Sequence, residues 1–369
     1  MDADRVHRQA GRTGVLLVNL GTPDDPSPPA IRRYLRQFLS DRRVVEFPRA
    51  LWLLVLYAFI LPFRPKKLSH AYASVWSNQG SPLMAISRRQ HAALQARFEA
   101  QSLDVCVELA MTYGQPSISD AMDRMLQQGV RRLLVLPMYP QYSATTTAAV
   151  FDAVHAHLKT LRWPPELRLI NGYHDDAPHI AALANSVRRH WAQQGRGEHL
   201  LMSFHSIPRK YLEAGDPYYC FCRKTARLLA DDLELADDQW SISFQSRLGN
   251  QPWLQPYTDC VVPQLAAAGI NQLDVICPGF SADCLETLEE VAIRYAADFK
   301  SAGGQALRYI PALNDHVDHI DALFALLWNH LQGWSLTAEA PAALQARHAR
   351  AQSAMPSLAS ETLPGQDKR

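Results

Sequence analysis

The 369-residue chain has no apolar run long enough to cross a lipid bilayer. The longest run, Leu51 to Leu61, has eleven residues, whereas a membrane-spanning helix needs about 20. The first residues include acids and lack the apolar segment of a secretory leader. We therefore expect a cytoplasmic protein that can touch a membrane surface, and the sequence excludes an integral membrane protein.

Cysteine is scarce, and the net charge is close to zero. Of the six cysteines only Cys220 and Cys222 are close in sequence, and a Cys-X-Cys pair alone is a weak metal motif. We interpret the cysteines as reduced thiols of a cytosolic protein. The 37 Lys and Arg residues are balanced by 36 Asp and Glu, so we expect no nucleic-acid partner.

Several familiar catalytic and phosphate-binding motifs are absent. No GxGxxG follows the first predicted strand, and the chain has no Walker A sequence, no HExxH and no GxSxG. A ligand site must therefore be sought at the carboxyl ends of the predicted strands, where open parallel sheets bind their ligands.

Eight short apolar segments alternate with longer helical segments, a pattern typical of parallel sheets covered by helices. Eight strands are compatible with one barrel or with two smaller sheets. The predicted strands are Gly14–Leu20, Val105–Thr112, Arg132–Met138, Leu167–Asn171, His199–Phe204, Trp240–Phe244, Leu273–Cys277 and Ala306–Ile310.

An internal repeat favours two sheets over one barrel. The segment LLVNLGTP at 16–23 is echoed by LLMSFHSIP at 200–208, and Gln115-Pro116 is echoed by Gln251-Pro252. These features follow the same order in both halves, which predicts two similar four-stranded α/β domains. Chance similarity between unrelated βα units is the alternative for matches this short.

The two halves differ by an insertion in the first. It contains the apolar run Leu51 to Leu61, followed by Arg64, Lys66 and Lys67. This composition predicts an amphipathic flap that covers an apolar ligand or rests on anionic lipid. An ordinary buried helix is an equally good interpretation.

Two predicted strand ends carry groups capable of chemistry. His205 directly follows one strand, and the segment CPGFSADCLETLEE predicts a helix from about Ser281. On such a helix Asp283, Glu286 and Glu290 share one face. An imidazole and a carboxylate at one opening suit a transient divalent cation, and imidazole accepts protons near pH 7. A hydrogen-bonded structural histidine and a solvated acidic face are the alternatives.

The strand ends of the first half are small, aromatic and neutral. Tyr113, Tyr139 and Tyr142 lie there, and Trp253 adds an aromatic side chain from the second half. A flat apolar ligand fits such a lining, although each ring also has a simple packing interpretation.

Together these motifs resemble the ferrochelatase family, bacterial type, from about Gly14 to Leu331. The resembling stretches are LLVNLGTP, QGSPL, LPMYPQYS, SFHSIP, FQSRLGNQPWLQPYTD and CPGFSADCLETLEE. The resemblance implies two Rossmann-like, chelatase-type domains, each a four-stranded parallel sheet flanked by helices, with the active cleft between them. It implies a lyase that inserts Fe²⁺ into protoporphyrin IX to form protohaem, the last step of haem biosynthesis.

The resemblance and the repeat together predict how the chain is divided. An N-terminal domain is expected at 13–172, with an apolar lip inserted at about 42–80. A C-terminal domain carrying the metal site is expected at 173–314, followed by a C-terminal helix at 315–334. Because no aromatic residue follows Trp334, residues 335–369 are predicted to form a disordered tail, in which one short helix near Ala342–Ala351 is the only expected element.

Motif matching assigns roles to individual residues. The resemblance implies that His205 and Glu286 are the catalytic and metal-binding pair, and that Leu51 to Leu61 is the lip that approaches the membrane. The expected substrate-binding residues are Leu20, Arg64, Tyr72, Ser81 and Trp253, and Asp283 and Glu290 are a possible metal or proton relay.

The sequence departs from the family pattern in three respects. Cys284 stands where some relatives have a histidine, and Arg294 stands where some carry an acid. Some members hold a [2Fe–2S] cluster through cysteines of a C-terminal extension, but the last cysteine here is Cys284. We therefore expect no iron–sulfur cluster and no permanently bound cofactor, since Fe²⁺ is a substrate. A cluster held through Cys220 and Cys222 is the alternative.

Three other functions stay open at this point. The chain could be a coproporphyrin ferrochelatase, or a chelatase of another tetrapyrrole. A protein of a different class, a two-domain binder that closes on a small molecule without reacting, also has this architecture.

Overall fold

Two separate parallel sheets form the framework of the protein. The computed structural model describes residues 11–249 and 251–354. Its strands are β1 (Arg12–Asn19), β2 (Val105–Met111), β3 (Val130–Pro137), β4 (Glu166–Leu169), β5 (His199–His205), β6 (Trp240–Gln245), β7 (Gln272–Ile276) and β8 (Ala306–Ile310). The first sheet has the order β2-β1-β3-β4 and the second β6-β5-β7-β8. The prediction of two four-stranded parallel sheets is confirmed.

Helices cover both sheets, and three of the described helices have π geometry. The α-helices are α1 (Pro28–Leu39), α2 (Arg49–Val55), α3 (Leu61–Val75), α4 (Pro82–Ala100), α5 (Ile118–Gln127), α6 (Ala149–Leu158), α7 (Ala177–Gln194), α8 (Arg209–Glu213), α9 (Tyr218–Asp232), α10 (Thr258–Ala267), α11 (Ala296–Ser301), α12 (Val317–Leu331) and α13 (Pro341–Ala354). The π-helices are π1 (Leu56–Ile60), π2 (Ala144–Ala148) and π3 (Glu286–Tyr295).

The repeat extends to the hydrogen bonds that follow the second strand of each sheet. The amide of Met111 donates to the carbonyl of Pro116 at 2.7 Å, and the amide of Phe244 donates to that of Pro256 at 2.8 Å. Pro256, and not Pro252 as predicted, is therefore the counterpart of Pro116. The loop after β6 is longer than the loop after β2, which made the sequence spacing misleading.

Leu20 and His205 occupy equivalent places in the two sheets. Leu20 directly follows Asn19, which pairs in register with Met111. His205 directly follows Phe204, which pairs in register with Phe244. The same backbone position therefore carries an apolar side chain in one half and an imidazole in the other.

Each sheet is covered by the helix that follows the last strand of the other sheet. Helix α7 follows β4 of the first sheet, but its Leu183 and Val187 pack in the core of the second sheet. Helix α12 follows β8 of the second sheet, but its Ile320 and Leu327 pack with the first. The helix predicted at 315–334 thus belongs to the core of the N-terminal half.

The chain stays ordered beyond the point where a disordered tail was predicted. The carbonyl of Ser335 accepts a hydrogen bond from Thr13 Oγ1 at 2.9 Å, and Leu336 packs against the core of the first sheet. Helix α13 follows. The remainder of the predicted tail, 355–369, lies outside the described residues.

A pair of buried histidines lies where helices α7 and α12 meet. His179 and His319 hold equivalent places near the first turns of these helices, and their ring centroids are 6.4 Å apart. Burial lowers the pKa of His179 to about 3 and that of His319 to about 4. Both rings are therefore neutral in the folded protein at neutral pH.

We predict that this pair makes the fold acid-sensitive. Between pH 6.5 and 4.5 the unfolded chain binds protons at these histidines and the folded protein does not, so stability falls with pH by roughly 2 kcal/mol per histidine at most. Denaturant melts of the wild type at pH 7 and 4.5 measure this loss. His179→Phe is expected to lose less stability over the same interval, and an equal loss in both proteins would contradict the prediction.

Candidate functional site

The two residues predicted for metal and proton chemistry are joined through one buried amide. His205 ends β5 and pairs in register with Gln245 of β6. The Nε2 of Gln245 donates to the main-chain oxygen of Glu286 at 2.9 Å, and its Oε1 accepts from Ser203 Oγ at 2.6 Å. The first turn of π3 is thereby fixed to the strand that carries His205.

The tautomer of His205 follows from its neighbour. Its Nδ1 lies 2.6 Å from the main-chain oxygen of Ser206. A carbonyl oxygen only accepts hydrogen bonds, so Nδ1 carries the proton in this contact. The neutral ring then keeps a lone pair on Nε2, where it can bind a metal ion or accept a proton.

The Glu286 side chain faces the lip, which is formed by α2, π1 and α3. Burial raises the pKa of Tyr72, on α3, well above its ordinary value, and the negative charge of Glu286 raises it further. The charge acts in the same direction on the buried Tyr34 of α1. The Glu286 carboxylate of the second half is thus close enough to the Tyr72 and Tyr34 hydroxyl groups of the first half to affect their pKa values.

Arg64, on α3, is the cation on which the charge of Glu286 acts. Burial lowers the pKa of its guanidinium, while the charge of Glu286 acts in the opposite direction. It forms no hydrogen bond or ion pair with any residue in the described part of the chain. A half-buried arginine in this state is available to a carboxylate group of a ligand.

Leu20 and Tyr72 pack together on the inner side of the lip, in one apolar cluster with Leu285 from the second half. Gly21 makes this placement possible, because a Cβ at its position would lie 1.7 Å from the carbonyl oxygen of Tyr113. The predicted apolar wall therefore borders the acidic end of the site.

Ser81 and Trp253 have partners within the protein. Ser81 is buried and its hydroxyl caps α4 by accepting from the amide of Met84 at 3.3 Å. The indole of Trp253 donates to the carbonyl of Leu248 at 2.8 Å, and its backbone forms a bridge with Pro208. The bridge places Trp253 close to the turn that follows His205.

The helix predicted from about Ser281 begins later, so Asp283 does not share a helix face with Glu286. Asp283 precedes π3 and is buried. Its carboxylate accepts from Thr287 Oγ1, Tyr309 OH and Asn314 Nδ2 at 2.9, 2.6 and 2.7 Å. These contacts use both oxygens to tie π3 to the segment after β8.

Glu290 is also held by protein donors. Its carboxylate accepts from the amide of Ser246 at 3.1 Å, from Ser246 Oγ at 2.6 Å and from Tyr295 OH at 2.6 Å. Tyr295 is five residues further along, the spacing that i→i+5 bonding in a π-helix brings together. Glu290 thus anchors the loop that leads to Trp253.

Cys284 and Arg294, the two departures from the family pattern near Glu286, differ in exposure. Burial raises the pKa of the Cys284 thiol well above its ordinary value, and the adjacent Glu286 charge raises it further, so the group is a neutral thiol. Arg294 lies on the outer side of π3, where it pairs with Glu289 at 2.8 Å.

Sequence reasoning missed two residues of the site. Gln245 lies inside the stretch FQSRLGNQPWLQPYTD, so the motif contained a signal that was not interpreted. Tyr34 gave no signal, because a tyrosine in an amphipathic helix is indistinguishable from an ordinary core residue. Among the described residues, no group of three or more His, Cys, Asp or Glu side chains is arranged to hold a metal ion.

Solved structures support the fold. The structure of SirB from Bacillus subtilis with Fe³⁺ has a TM-score of 0.52 and 11% identity, and the match covers 88% of this chain and 99% of that chain. At this identity the likeness concerns the architecture alone.

Sequence comparisons give the family. The chain matches the family described as Ferrochelatase over residues 12–331. It is 51% identical over 333 residues to the ferrochelatase of Nitrosococcus oceani, covering 90% of each chain. It is 51% identical over 348 residues to that of Teredinibacter turnerae, covering 94% of this chain and 95% of the relative. The chain belongs to the ferrochelatase family, the lyases that perform the iron insertion of haem biosynthesis.

Proposed function

We propose that the protein inserts Fe²⁺ into protoporphyrin IX, forming protohaem and releasing the two pyrrole protons. The observation that carries this proposal is the set of groups around Glu286. Gln245 joins Glu286 to the strand end that carries His205, and the charge of Glu286 acts on Tyr72 and Arg64 of the lip. A flat ring with acidic substituents fits this combination of surfaces.

The chemistry requires the ring to leave planarity. A planar tetrapyrrole points its nitrogen lone pairs at its own centre, away from an incoming ion. We propose that Leu20, Trp253 and the lip bend the ring, with remote contacts supplying the energy of distortion. The carboxylate groups of the substrate bind towards Arg64, Tyr72 and Ser81.

His205 and Glu286 act on the ion and the protons. The free lone pair on His205 Nε2 accepts a pyrrole proton or binds the ion, and the Glu286 carboxylate neutralises the dication as water leaves it. The division of these two tasks between the residues is open. Asp283 and Glu290 are the proposed relay groups for metal ions or protons. To act in this way, each carboxylate would have to give up hydrogen bonds that it now accepts from the protein.

We predict that His205→Ala abolishes metal insertion and leaves porphyrin binding largely intact, because the imidazole acts on the ring centre and not on its edge. Protein, protoporphyrin and Fe²⁺ or Zn²⁺ are mixed anaerobically and the metalloporphyrin absorption bands are followed. The exposed His155 provides the control His155→Ala, which should behave as wild type. Normal turnover by His205→Ala would refute the assignment.

The same assay decides between this function and its rivals. A shifted porphyrin spectrum without metal insertion by the wild type identifies a binding protein. Faster turnover of a substrate with four propionates than of one with two identifies a coproporphyrin chelatase.

We predict that Arg64→Leu raises the KM for protoporphyrin about tenfold, the loss expected for one charge-assisted hydrogen bond, with a small effect on the KM for the metal. Lys66→Leu, two residues away and exposed, is the matched control. An equal rise in both variants would show that overall charge, and not a contact with Arg64, attracts the substrate.

We propose that the lip also rests on a membrane surface of the cytoplasm. Phe59 and Phe63 are 64% and 72% exposed, and Lys66 and Lys67 follow them. No helix in the described ranges is long and apolar enough to span a bilayer. Exposed aromatic rings beside lysines suit the headgroup region of an anionic membrane.

We predict that the protein floats with anionic vesicles, and that the double variant Phe59→Ser, Phe63→Ser does so far less. The exposed ring of Trp163, which is remote in sequence from the lip, supplies the control Trp163→Ser. Flotation that does not differ among the three proteins would contradict the proposed contact.

We also propose that the enzyme works without an iron–sulfur cluster. Cys106, Cys222, Cys277 and Cys284 are buried, whereas Cys220 and Cys260 are exposed. An iron and acid-labile sulfide determination on anaerobically purified protein tests this.

A further inference from the structure

The segment that leads into the lip is bound to both halves of the molecule. We call residues 41–46 the strap; it connects the end of α1 to the lip. On the side of the first half, Tyr113 OH donates to Asp41 Oδ2 at 2.8 Å. Arg43 forms a two-bond ion pair with Asp152 of α6, at 2.7 and 3.2 Å.

The second half binds the strap through its main chain. The hydroxyl of Tyr211 donates to the carbonyl of Val44 at 3.1 Å and accepts from the amide of Glu46 at 3.1 Å. Lys210 Nζ donates to the carbonyl of Glu46. Two adjacent residues of α8 thus satisfy three main-chain groups, and these contacts do not depend on the side chains of the strap.

Tyr211 is well suited to this contact. Its ring is buried in the core of the second sheet, so the position of its hydroxyl is fixed by packing. Removing the hydroxyl would leave a donor and an acceptor of the strap without their partner, while the ring would keep its place.

The clamp is rigidly connected to the catalytic strand end. Helix α8 begins four residues after His205, and the turn between them is bonded to the loop that carries Trp253. The amide of Arg209 donates to the carbonyl of Pro252 at 3.0 Å, and the amide of Leu254 donates to that of Ile207 at 3.0 Å. Main-chain hydrogen bonds therefore connect the turn between His205 and Tyr211 to the loop of Trp253.

The other end of the lip also meets the second half, because α3 contacts π3. The lip belongs to the first half by sequence, yet both of its ends lie against the half that carries His205 and Glu286. A porphyrin held by the lip is placed over His205 only if this attachment is maintained.

We propose that Tyr211 is a positioning residue that clamps the strap, and through it holds the lip at the correct separation from His205. The expected change in the KM for porphyrin rests on the proposed function. The expected change in the hydrogen exchange of the strap rests on the hydrogen bonds alone. Tyr211 touches no reacting atom, so it controls how the ring is seated and leaves the chemistry of the ion unchanged.

The experiment compares Tyr211→Phe with wild type in two assays. Hydrogen exchange of the free enzyme, followed by mass spectrometry on peptides covering 44–60, should be at least tenfold faster in the variant. The KM for protoporphyrin should rise several-fold, while kcat and the KM for the metal stay within twofold. Tyr219→Phe, in the same half and remote from the strap, should match wild type in both assays.

Two results would overturn the proposed clamp. Unchanged exchange at 44–60 overturns the clamp, and a fall in kcat with unchanged porphyrin KM assigns Tyr211 to the chemistry and overturns it too. If Tyr211→Phe does not fold, Lys210→Met replaces it, since this exposed side chain loses its bond to Glu46 and its cation–π contact with the Tyr211 ring, both of which belong to the clamp. It must accelerate exchange at 44–60 relative to the exposed control Lys300→Met, or the proposal fails. A wild type without chelatase activity would refute the proposed function separately, because the exchange assay contains no porphyrin.

Discussion

The hydrogen bond from the Gln245 amide to the main-chain oxygen of Glu286 determines the geometry of the site. It connects a buried strand end to the first turn of a π-helix at 2.9 Å. Since Gln245 is itself bonded to Ser203, its amide group cannot rotate freely. The first turn of π3 and the strand end that carries His205 thereby gain a fixed relation.

The two halves share one backbone plan and differ in the chemistry of their strand ends. Leu20 and His205 stand at equivalent positions, and π2 and π3 both follow the third strand of their sheet. The first half received the lip with Arg64 and apolar or hydroxyl-bearing side chains, and the second received the imidazole and the carboxylates. The proposed substrate, flat and apolar with a polar centre, suits this asymmetry, because the two halves offer it surfaces of different chemistry.

Much of this arrangement could be predicted from the sequence, and the reasons for the exceptions are physical. Most strands were recognisable because they are largely buried on both faces and read as apolar runs, as in β1, β2, β3, β5 and β7. The helix predicted from about Ser281 begins later, at Glu286, because Asp283 is bound by the segment after β8. Local helix patterns do not reveal such a long-range contact. The roles of Gln245 and Tyr211 depend on main-chain partners far away in sequence, and no spacing rule identifies such partners.

The exchanged helices affect how this protein can form. The core of the N-terminal half includes Ile320 and Leu327 of α12, which leave the ribosome after the whole second half has been made. The first sheet keeps part of its apolar surface open to water until that helix has been made, so the first half does not reach its final packing alone. Both halves are therefore expected to fold as one cooperative unit late in synthesis, instead of one after the other as independent domains do.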